Sequence, residues 1–408
     1  MPCRPVFPAL LWLYAGLATA PASALDYDAV RVSGDVSSEY RHFVDDGDRP
    51  GLADHSVSLA AELEFYYPLA DSDDSLTFTP FYRWDQHDDD RTHADIRELN
   101  WQKVTRDWEL TIGISRVFWG VTETVHVVNI INQVDLAESP DEEDLLGQPM
   151  VNLTLVRDWG SLDLFVLPYF RERIFPGPNG RPGTNPAISN SKASYESGAE
   201  QWHTDFAVRW SDSVDNWDMG VYQFYGTSRE PRLDPAFVDI KPDGQVELVP
   251  IYDIIHQTGV DLQGTFDAWL LKLEAIYRAG PQDNFFAGAA GFEYTFFDIA
   301  GSGADIGIIS EYLFDDRALL VAGQNDDDDI SVGLRLALND IDSTELVAAV
   351  VQDVDDHSRY IYVEASRRLG NAFKLSVEAR GVSNVASDNP LQIYENENYL
   401  QLELGYYF

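Results

Sequence analysis

The feature that most constrains this fold is a repeated alternation of apolar with polar or small residues. In the segment 108–117, for example, Trp108, Leu110, Ile112 and Ile114 alternate with such residues. Side chains of a β-strand point alternately to its two faces, so each segment has one apolar and one polar face. A helix would need apolar residues at three- and four-residue spacings, which these segments do not supply. The sequence therefore predicts an all-β protein.

Eighteen such segments follow one another along the chain. They are 27–43, 55–67, 75–85, 94–105, 108–117, 150–158, 161–170, 201–211, 216–226, 255–266, 268–278, 284–297, 304–314, 330–339, 343–352, 359–369, 372–382 and 397–408. Connections after even-numbered segments are tight. Most connections after odd-numbered segments are longer, near 44–54, 118–149, 171–200, 227–254, 315–329 and 383–396.

Short turns at one end and long loops at the other are typical of transmembrane barrels with an even strand count. A soluble sandwich has no reason to segregate loop length in this way. We therefore predict a single transmembrane, antiparallel, up-and-down β-barrel over residues 25–408, with about 18 strands and 16 as the alternative. A barrel of that size encloses an aqueous lumen rather than a filled core.

The first residues predict export from the cytoplasm. Arg4 precedes an uncharged apolar run at 6–20, and Ala22-Ser23-Ala24 supplies a small-x-small cleavage site. This pattern predicts a secretory signal peptide over residues 1–24. Cys3, the only cysteine, would be lost with it, so disulfides and thiolate chemistry are excluded in the mature chain. The predicted location is the outer membrane of a Gram-negative cell.

The net charge of −41 excludes nucleic acid as a partner, because the phosphate backbone would be repelled. Acidic runs occur at 45–48, 88–90, 141–144 and 326–329, in predicted loops. They indicate either a solvated face or divalent-cation contacts with lipopolysaccharide. No spacing matches a calcium-binding loop, so the sequence predicts no metal site and no cofactor.

The last strand, "NYLQLELGYYF", ends on an aromatic residue. Leu400, Leu402 and Leu404 would face lipid, and Tyr406 and Phe408 would lie in an aromatic girdle. This strand resembles the C-terminal signature of bacterial outer-membrane proteins. The resemblance implies that Tyr406 and Phe408 belong to an assembly signal that the barrel-assembly machinery reads.

The segment 118–149 differs from the other long connections. Its first half is apolar ("VHVVNIINQVDL") and its second half is acidic, and residues 118–150 hold seven acids without Lys or Arg. Apolar loop residues need burial, and the lumen is the nearest place for it. We therefore predict an inward-folding constriction loop with acids facing the channel. The candidate pore residues in the loop are the acids Glu138, Asp141, Glu142, Glu143 and Asp144. They would be opposed by Arg31, Arg41 and Arg83, which fall on the predicted lumen-facing sides of early strands.

The residues "WG" at 119–120 and "VNIINQVDL" at 128–136 also resemble a group of proteobacterial outer-membrane barrels described as porin-like. The resemblance implies passive diffusion of small hydrophilic solutes or ions through the lumen. A substrate-specific channel of the sugar, carboxylate or alginate-export type stays open, as does a structural barrel without transport. A homotrimer also stays open. No Ser-His or HExxH arrangement is present, so the sequence does not predict an enzyme.

Overall fold

The computed structural model describes residues 29–69, 72–242, 244–282, 284–317, 328–387 and 389–408. The predicted signal peptide, 1–24, lies outside these residues. Within these described residues, eighteen strands form one sheet. They are β1 (Arg31–Phe43), β2 (His55–Pro68), β3 (Asp74–Asp85), β4 (His93–Val104), β5 (Trp108–Ser115), β6 (Gln148–Arg157), β7 (Gly160–Leu167), β10 (Asp205–Val214), β11 (Trp217–Thr227), β14 (Ile254–Phe266), β15 (Trp269–Ala279), β16 (Asn284–Phe296), β17 (Asp305–Asp315), β18 (Asp329–Ala337), β19 (Glu345–Asp353), β20 (Arg359–Leu369), β21 (Phe373–Ser383) and β22 (Tyr399–Tyr407).

The sheet closes on itself. β1 pairs in antiparallel register with β2 on one side and with β22 on the other, and each intervening wall strand pairs with its neighbours along the chain. The predicted fold class and the count of 18 strands, rather than 16, are therefore confirmed. The two chain ends meet in this seam, where the Phe408 N–H donates to the Gly34 carbonyl and the Gly34 N–H donates back.

The outer face of the wall is apolar and the inner face is largely polar. Along β22, Leu400, Leu402 and Leu404 are 42–44% exposed on the outside. Along β1, Glu39 and Arg41 are only 3% exposed inside the barrel. This distribution is inside-out relative to a soluble protein, and it suits a wall with lipid outside and water within.

The lengths of the connections differ between the two ends of the barrel. Tight turns such as 105–107, 158–159, 215–216 and 267–268 lie at the end that carries the first residue of β1 and the last residue of β22. The longer connections, including 116–147 and 168–204, lie at the opposite end. In the described residues, no helix has the length and apolarity that crossing a membrane would require.

A second, four-stranded sheet is built from the connections at the long-loop end. Its strands are β8 (Ala187–Ile188), β9 (Ser194–Tyr195), β12 (Arg232–Ile240) and β13 (Val246–Tyr252). β13 pairs with β12 in antiparallel register and with β8 and β9 in parallel register. The sequence predicts only connections here, and the two-residue strands β8 and β9 contain no alternation to detect.

Candidate functional site

The connection between β5 and β6, residues 116–147, lies inside the barrel and is called the inner loop below. Its apolar residues Val128, Ile130 and Ile131 are at most 1% exposed. They form one buried cluster with side chains of the surrounding wall, namely Met150, Phe165, Leu167, Ala207, Tyr222, Phe224, Ile255, Ile276, Phe285 and Ala287. The apolar half of the inner loop therefore packs against one side of the wall.

One wall carboxylate fixes the first part of the inner loop. Glu274 of β15 accepts hydrogen bonds from the backbone N–H groups of Val121 and Thr122, at 2.5 and 2.9 Å, and from the Thr122 hydroxyl at 2.7 Å. The N–H of Val128 donates to its second oxygen at 3.2 Å. Backbone N–H groups buried in an irregular segment need acceptors, and an ionised carboxylate is a strong one.

A second wall carboxylate continues this attachment. Glu311 of β17 accepts from the backbone N–H groups of Glu123 and Thr124, at 2.7 and 2.8 Å. The Glu123 side chain in turn pairs with Arg335 at 2.7 Å and with Lys272 at 3.3 Å. These contacts connect the inner loop to β15, β17 and β18.

Arg229, in the connection after β11, holds the middle of the inner loop. Its Nε and Nη2 donate to the Ile131 carbonyl at 3.1 and 2.9 Å. Its Nη1 donates to Asp205 at 2.6 Å. His203 lies 2.8 Å from the same carboxylate, so Asp205 is part of a structural network around the loop.

A third group of contacts joins the end of the apolar half to β1 and β3. Arg83 Nε donates to Glu138 Oε2 at 2.6 Å, and Arg41 Nη2 donates to the Glu138 carbonyl at 2.8 Å. Arg91 Nε donates to the Ala137 carbonyl at 2.8 Å. Glu39 lies within 3.3 Å of Arg41, Arg83 and Arg91 and balances their charge.

The other predicted loop acids lie beyond this attachment. Asp141 pairs with Arg380 and Glu142 pairs with Arg173, at 2.6 and 2.8 Å. Glu143 and Asp144 are exposed to the lumen and form no salt bridge with any described residue. The surrounding protein displaces bulk water around both carboxyls and neighbouring acids repel them, which raises the pKa of Glu143 and raises the pKa of Asp144 to about 7.

The predicted bases separate into two groups. Arg41 and Arg83 bind Glu138 directly, as described above. Arg31 is on the same strand face as Arg41 but at the short-turn end, where its guanidinium lies 5.8 Å from the Tyr66 ring centroid. Ten residues of strand correspond to about 33 Å, so Arg31 is remote from the inner loop.

A cavity of about 390 Å³ lies beside the acidic half of the inner loop, against β15–β22. Its carboxylates outnumber its guanidinium groups: Glu123, Asp141, Glu142, Glu143, Glu230, Asp315, Asp329, Glu364 and Glu397 against Arg173, Arg229, Arg278, Arg317 and Arg380. Tyr360, Tyr362, Tyr394 and Tyr399 also line it. The inner loop therefore has an apolar side packed on the wall and an acidic side along this cavity.

The predicted C-terminal signal residues lie on the outer face of the seam. Tyr406 and Phe408 are 43% and 52% exposed, and their rings stack with centroids 5.9 Å apart. Tyr406 also contacts Phe373 of β21 at 5.1 Å between ring centroids. An exposed aromatic group at the end of a wall strand is typical of the girdle of an outer-membrane barrel.

The sequence did not reveal the wall carboxylates that hold the inner loop. Glu274 and Glu311 each lie on the luminal phase of their strands, but so do many other acids. These two side chains are distinguished by their burial, since they are only 0% and 2% exposed. That burial depends on contacts with inner-loop residues more than 150 positions away along the chain. No sequence signal would have separated them from acids that merely line the lumen.

The closed 18-stranded wall, its apolar outer face and its aromatic seam define a porin-like β-barrel of the outer-membrane type. No family model matches the chain, and no curated protein matches it. Solved structures that resemble it include variants of the Rhodopseudomonas blastica porin. One shares 12% identity at a TM-score of 0.46 and a triple mutant shares 13% at 0.45, each covering 93% of this chain and 100% of that porin.

Proposed function

We propose that this protein is an outer-membrane channel for small hydrophilic solutes and ions, with the inner loop as its constriction. The observation that carries the proposal is the two-sided arrangement of that loop. Its apolar side is packed on β6, β7, β10, β11 and β14–β16, and its acidic side borders the cavity along β15–β22. A segment held in this way narrows the lumen without filling it.

The charge of the passage favours cations over anions. Carboxylates outnumber guanidinium groups along the cavity, and most of the guanidinium groups are already paired with acids. Fixed charges act more strongly in a narrow passage with low-dielectric walls than in open water. The same excess of acid gives little support to an alginate-export channel, because that cargo is a polyanion.

Conductance of the purified protein in a planar bilayer tests the proposal. We expect discrete single-channel steps, and a larger step after deletion of residues 121–147, because the deletion removes the segment that borders the cavity. A matched deletion in the outer connection 44–54 controls for the effect of shortening a loop. A folded protein that gives no steps would favour the structural barrel without transport.

A sugar-specific channel is a second candidate, favoured by the four tyrosines that line the cavity. Aromatic faces with a few polar groups are typical of sites that bind small organic ligands. Current block by maltotriose, lost in Tyr362→Ala, would support this candidate. Block that is equal in both proteins, or absent, would favour general diffusion.

The proposed location is the Gram-negative outer membrane. Recovery in the outer-membrane fraction and a change of gel mobility on heating would support it, whereas a soluble periplasmic monomer would contradict it. Contacts with lipopolysaccharide, the barrel-assembly machinery and further copies of the chain in a trimer stay predictions.

A further inference from the structure

Three potential metal ligands converge where the inner loop meets the wall. They are His93, the first residue of β4, and Asp135 and Glu138 of the inner loop, and one donor atom of each lies within 4.8 Å of the others. His93 Nε2 is 3.2 Å from Asp135 Oδ2 and 3.9 Å from Glu138 Oε1. The two carboxylate side chains are 0% and 4% exposed.

Each of these side chains has one polar atom held by the protein and another that is free. His93 Nδ1 lies 3.0 Å from the Arg91 carbonyl, which can only accept, so Nδ1 carries a proton and Nε2 faces the carboxylates. Arg97 holds Asp135 Oδ2, and Arg83 holds Glu138 Oε2. His93 Nε2, Asp135 Oδ1 and Glu138 Oε1 have no hydrogen-bond partner among the described residues.

We propose that His93, Asp135 and Glu138 bind a divalent transition-metal ion, for which Zn²⁺ is the best match. Zinc accepts imidazole nitrogen and carboxylate oxygen at about 2.0–2.2 Å, which places neighbouring ligands of a tetrahedral site about 3.3–3.6 Å apart. The distances from His93 Nε2, 3.2 and 3.9 Å, bracket that spacing. Calcium and magnesium prefer oxygen ligands alone, so an imidazole ligand disfavours them.

The groups behind the three ligands match those of known metal sites. A metal-binding histidine usually donates its other ring N–H to a carbonyl or carboxylate, and binding carboxylates are themselves hydrogen-bonded. Here the Arg91 carbonyl fixes the ring, and Arg97 and Arg83 each orient one carboxylate. This arrangement leaves His93 Nε2 and Glu138 Oε1 3.9 Å apart, and Asp135 Oδ2, which Arg97 also holds, lies 3.2 Å from Nε2.

The guanidinium groups near the site are shared between the two ligand carboxylates and other acids. Arg97 is paired with Asp95 at 3.3 Å. Arg91 is paired with Glu39 and Asp85, at 2.9 Å each, and Arg83 lies 3.3 Å from Glu39. Arg41 also pairs with Glu39, and Arg171 also pairs with Asp95. Glu39, Asp85 and Asp95 therefore offset three of the five guanidinium charges, and the two ligand carboxylates balance the other two.

The metal site goes beyond the proposed channel function. An ion bound there would cross-link β4 to two positions of the inner loop, at the end of its apolar half. Metal binding would add to the contacts of Arg41, Arg83 and Arg91 with the same end of the loop. Direct binding measurements do not depend on conductance, so the metal site and the channel can fail separately.

Calorimetric titration of the full-length protein with ZnCl₂, in detergent and after treatment with a chelator, tests the proposal. We expect one tight equivalent, and affinity weakened at least about tenfold in His93→Gln and in Asp135→Asn. His42→Gln is the matched control, because His42 lies on the outer face and belongs to no such cluster among the described residues. Heat-dependent gel mobility verifies that each variant is folded.

X-ray absorption at the zinc edge provides a second measurement. We expect one imidazole together with oxygen ligands in the native protein, and loss of the imidazole signal in His93→Gln. Weak binding at many surface carboxylates, equal in the native protein and His93→Gln, would overturn the proposal. The cluster would then be a histidine–carboxylate ion pair.

Discussion

Arg83 of β3 donates a hydrogen bond from Nε to Oε2 of Glu138 across 2.6 Å, and so joins the barrel wall to the inner loop. Both side chains are less than 10% exposed. A buried ion pair costs desolvation, which is recovered only when each charge has further hydrogen-bond partners. Here Ser58 and Glu39 also accept from Arg83. The pair therefore fixes the position of the loop within the lumen.

Replacing Glu274 should release the first part of the inner loop. Glu274→Ala leaves three backbone N–H groups without their acceptor, and the Thr122 hydroxyl keeps only the Val125 carbonyl. Each hydrogen bond to a charged group contributes about 1.5–3 kcal/mol. Hydrogen–deuterium exchange should accelerate at Val121, Thr122 and Val128. Glu403→Ala, a luminal acid on β22, is the control, and equal protection in both variants would contradict the assigned role of Glu274.

Neutralising the unpaired loop acids should reduce cation selectivity. In the double variant Glu143→Gln/Asp144→Asn, the reversal potential under a salt gradient should move toward the value of an anion-selective channel. The paired acids are less suitable, because their removal would also disturb the loop. Asp46→Asn, in an exposed outer connection, is the control, since salt screens charges beyond about 8–10 Å. An unchanged reversal potential in the double variant would place the selectivity elsewhere.

Cation selectivity should fall on mild acidification. The pKa of Asp144 is raised to about 7 and that of Glu143 is raised as well. A raised pKa means that a carboxyl gains its proton, and loses its charge, at a higher pH than usual. Selectivity should therefore decline between about pH 8 and pH 5, above the usual glutamate pKa of about 4.3. The double variant Glu143→Gln/Asp144→Asn should lose most of this pH dependence. If its selectivity varied with pH as in the native protein, Glu143 and Asp144 would not be the groups that titrate.

A charge on the lipid-facing side of β22 should destabilise the barrel. Leu402 lies near the middle of β22 on the outer face, and Leu402→Arg should lower the free energy of unfolding by about 2–4 kcal/mol. Glu403 is the next residue and lies on the luminal face, so Glu403→Arg should lower the free energy of unfolding much less. Urea unfolding monitored by gel mobility measures both. Equal losses would mean that the two faces are misassigned.

Removing the last residue should impair assembly. Without Phe408, the seam loses two backbone hydrogen bonds to Gly34 and the ring that stacks on Tyr406. We expect less folded protein in the outer membrane, measured by heat-dependent mobility. Phe408→Tyr keeps the backbone and the aromatic ring and is the control. Normal assembly of the truncated chain would count against a C-terminal signal.

The sequence by itself determined the wall of this barrel. Strand alternation is a local consequence of backbone geometry, so residues such as Leu402 and Glu403 reveal their opposite faces without further information. Loop lengths are equally local, and their segregation predicted a transmembrane barrel with an even strand count. The number of alternating segments predicted the 18 strands that the structure shows. An apolar loop half that needs burial also predicted the inward-folding loop, and the acidic run beside it included Glu138.

Only the tertiary structure decided what meets inside the wall. Alternation gives the face on which a residue lies, but not its position along the barrel axis or its neighbours. Arg31 and Arg83 were therefore equivalent in sequence, although of these two only Arg83 contacts Glu138. Glu274 meets Thr122 across 152 positions, and His93 meets Asp135 across an intervening hairpin and half a loop. Such contacts depend on long-range closure of the chain, which leaves no periodic trace in the sequence.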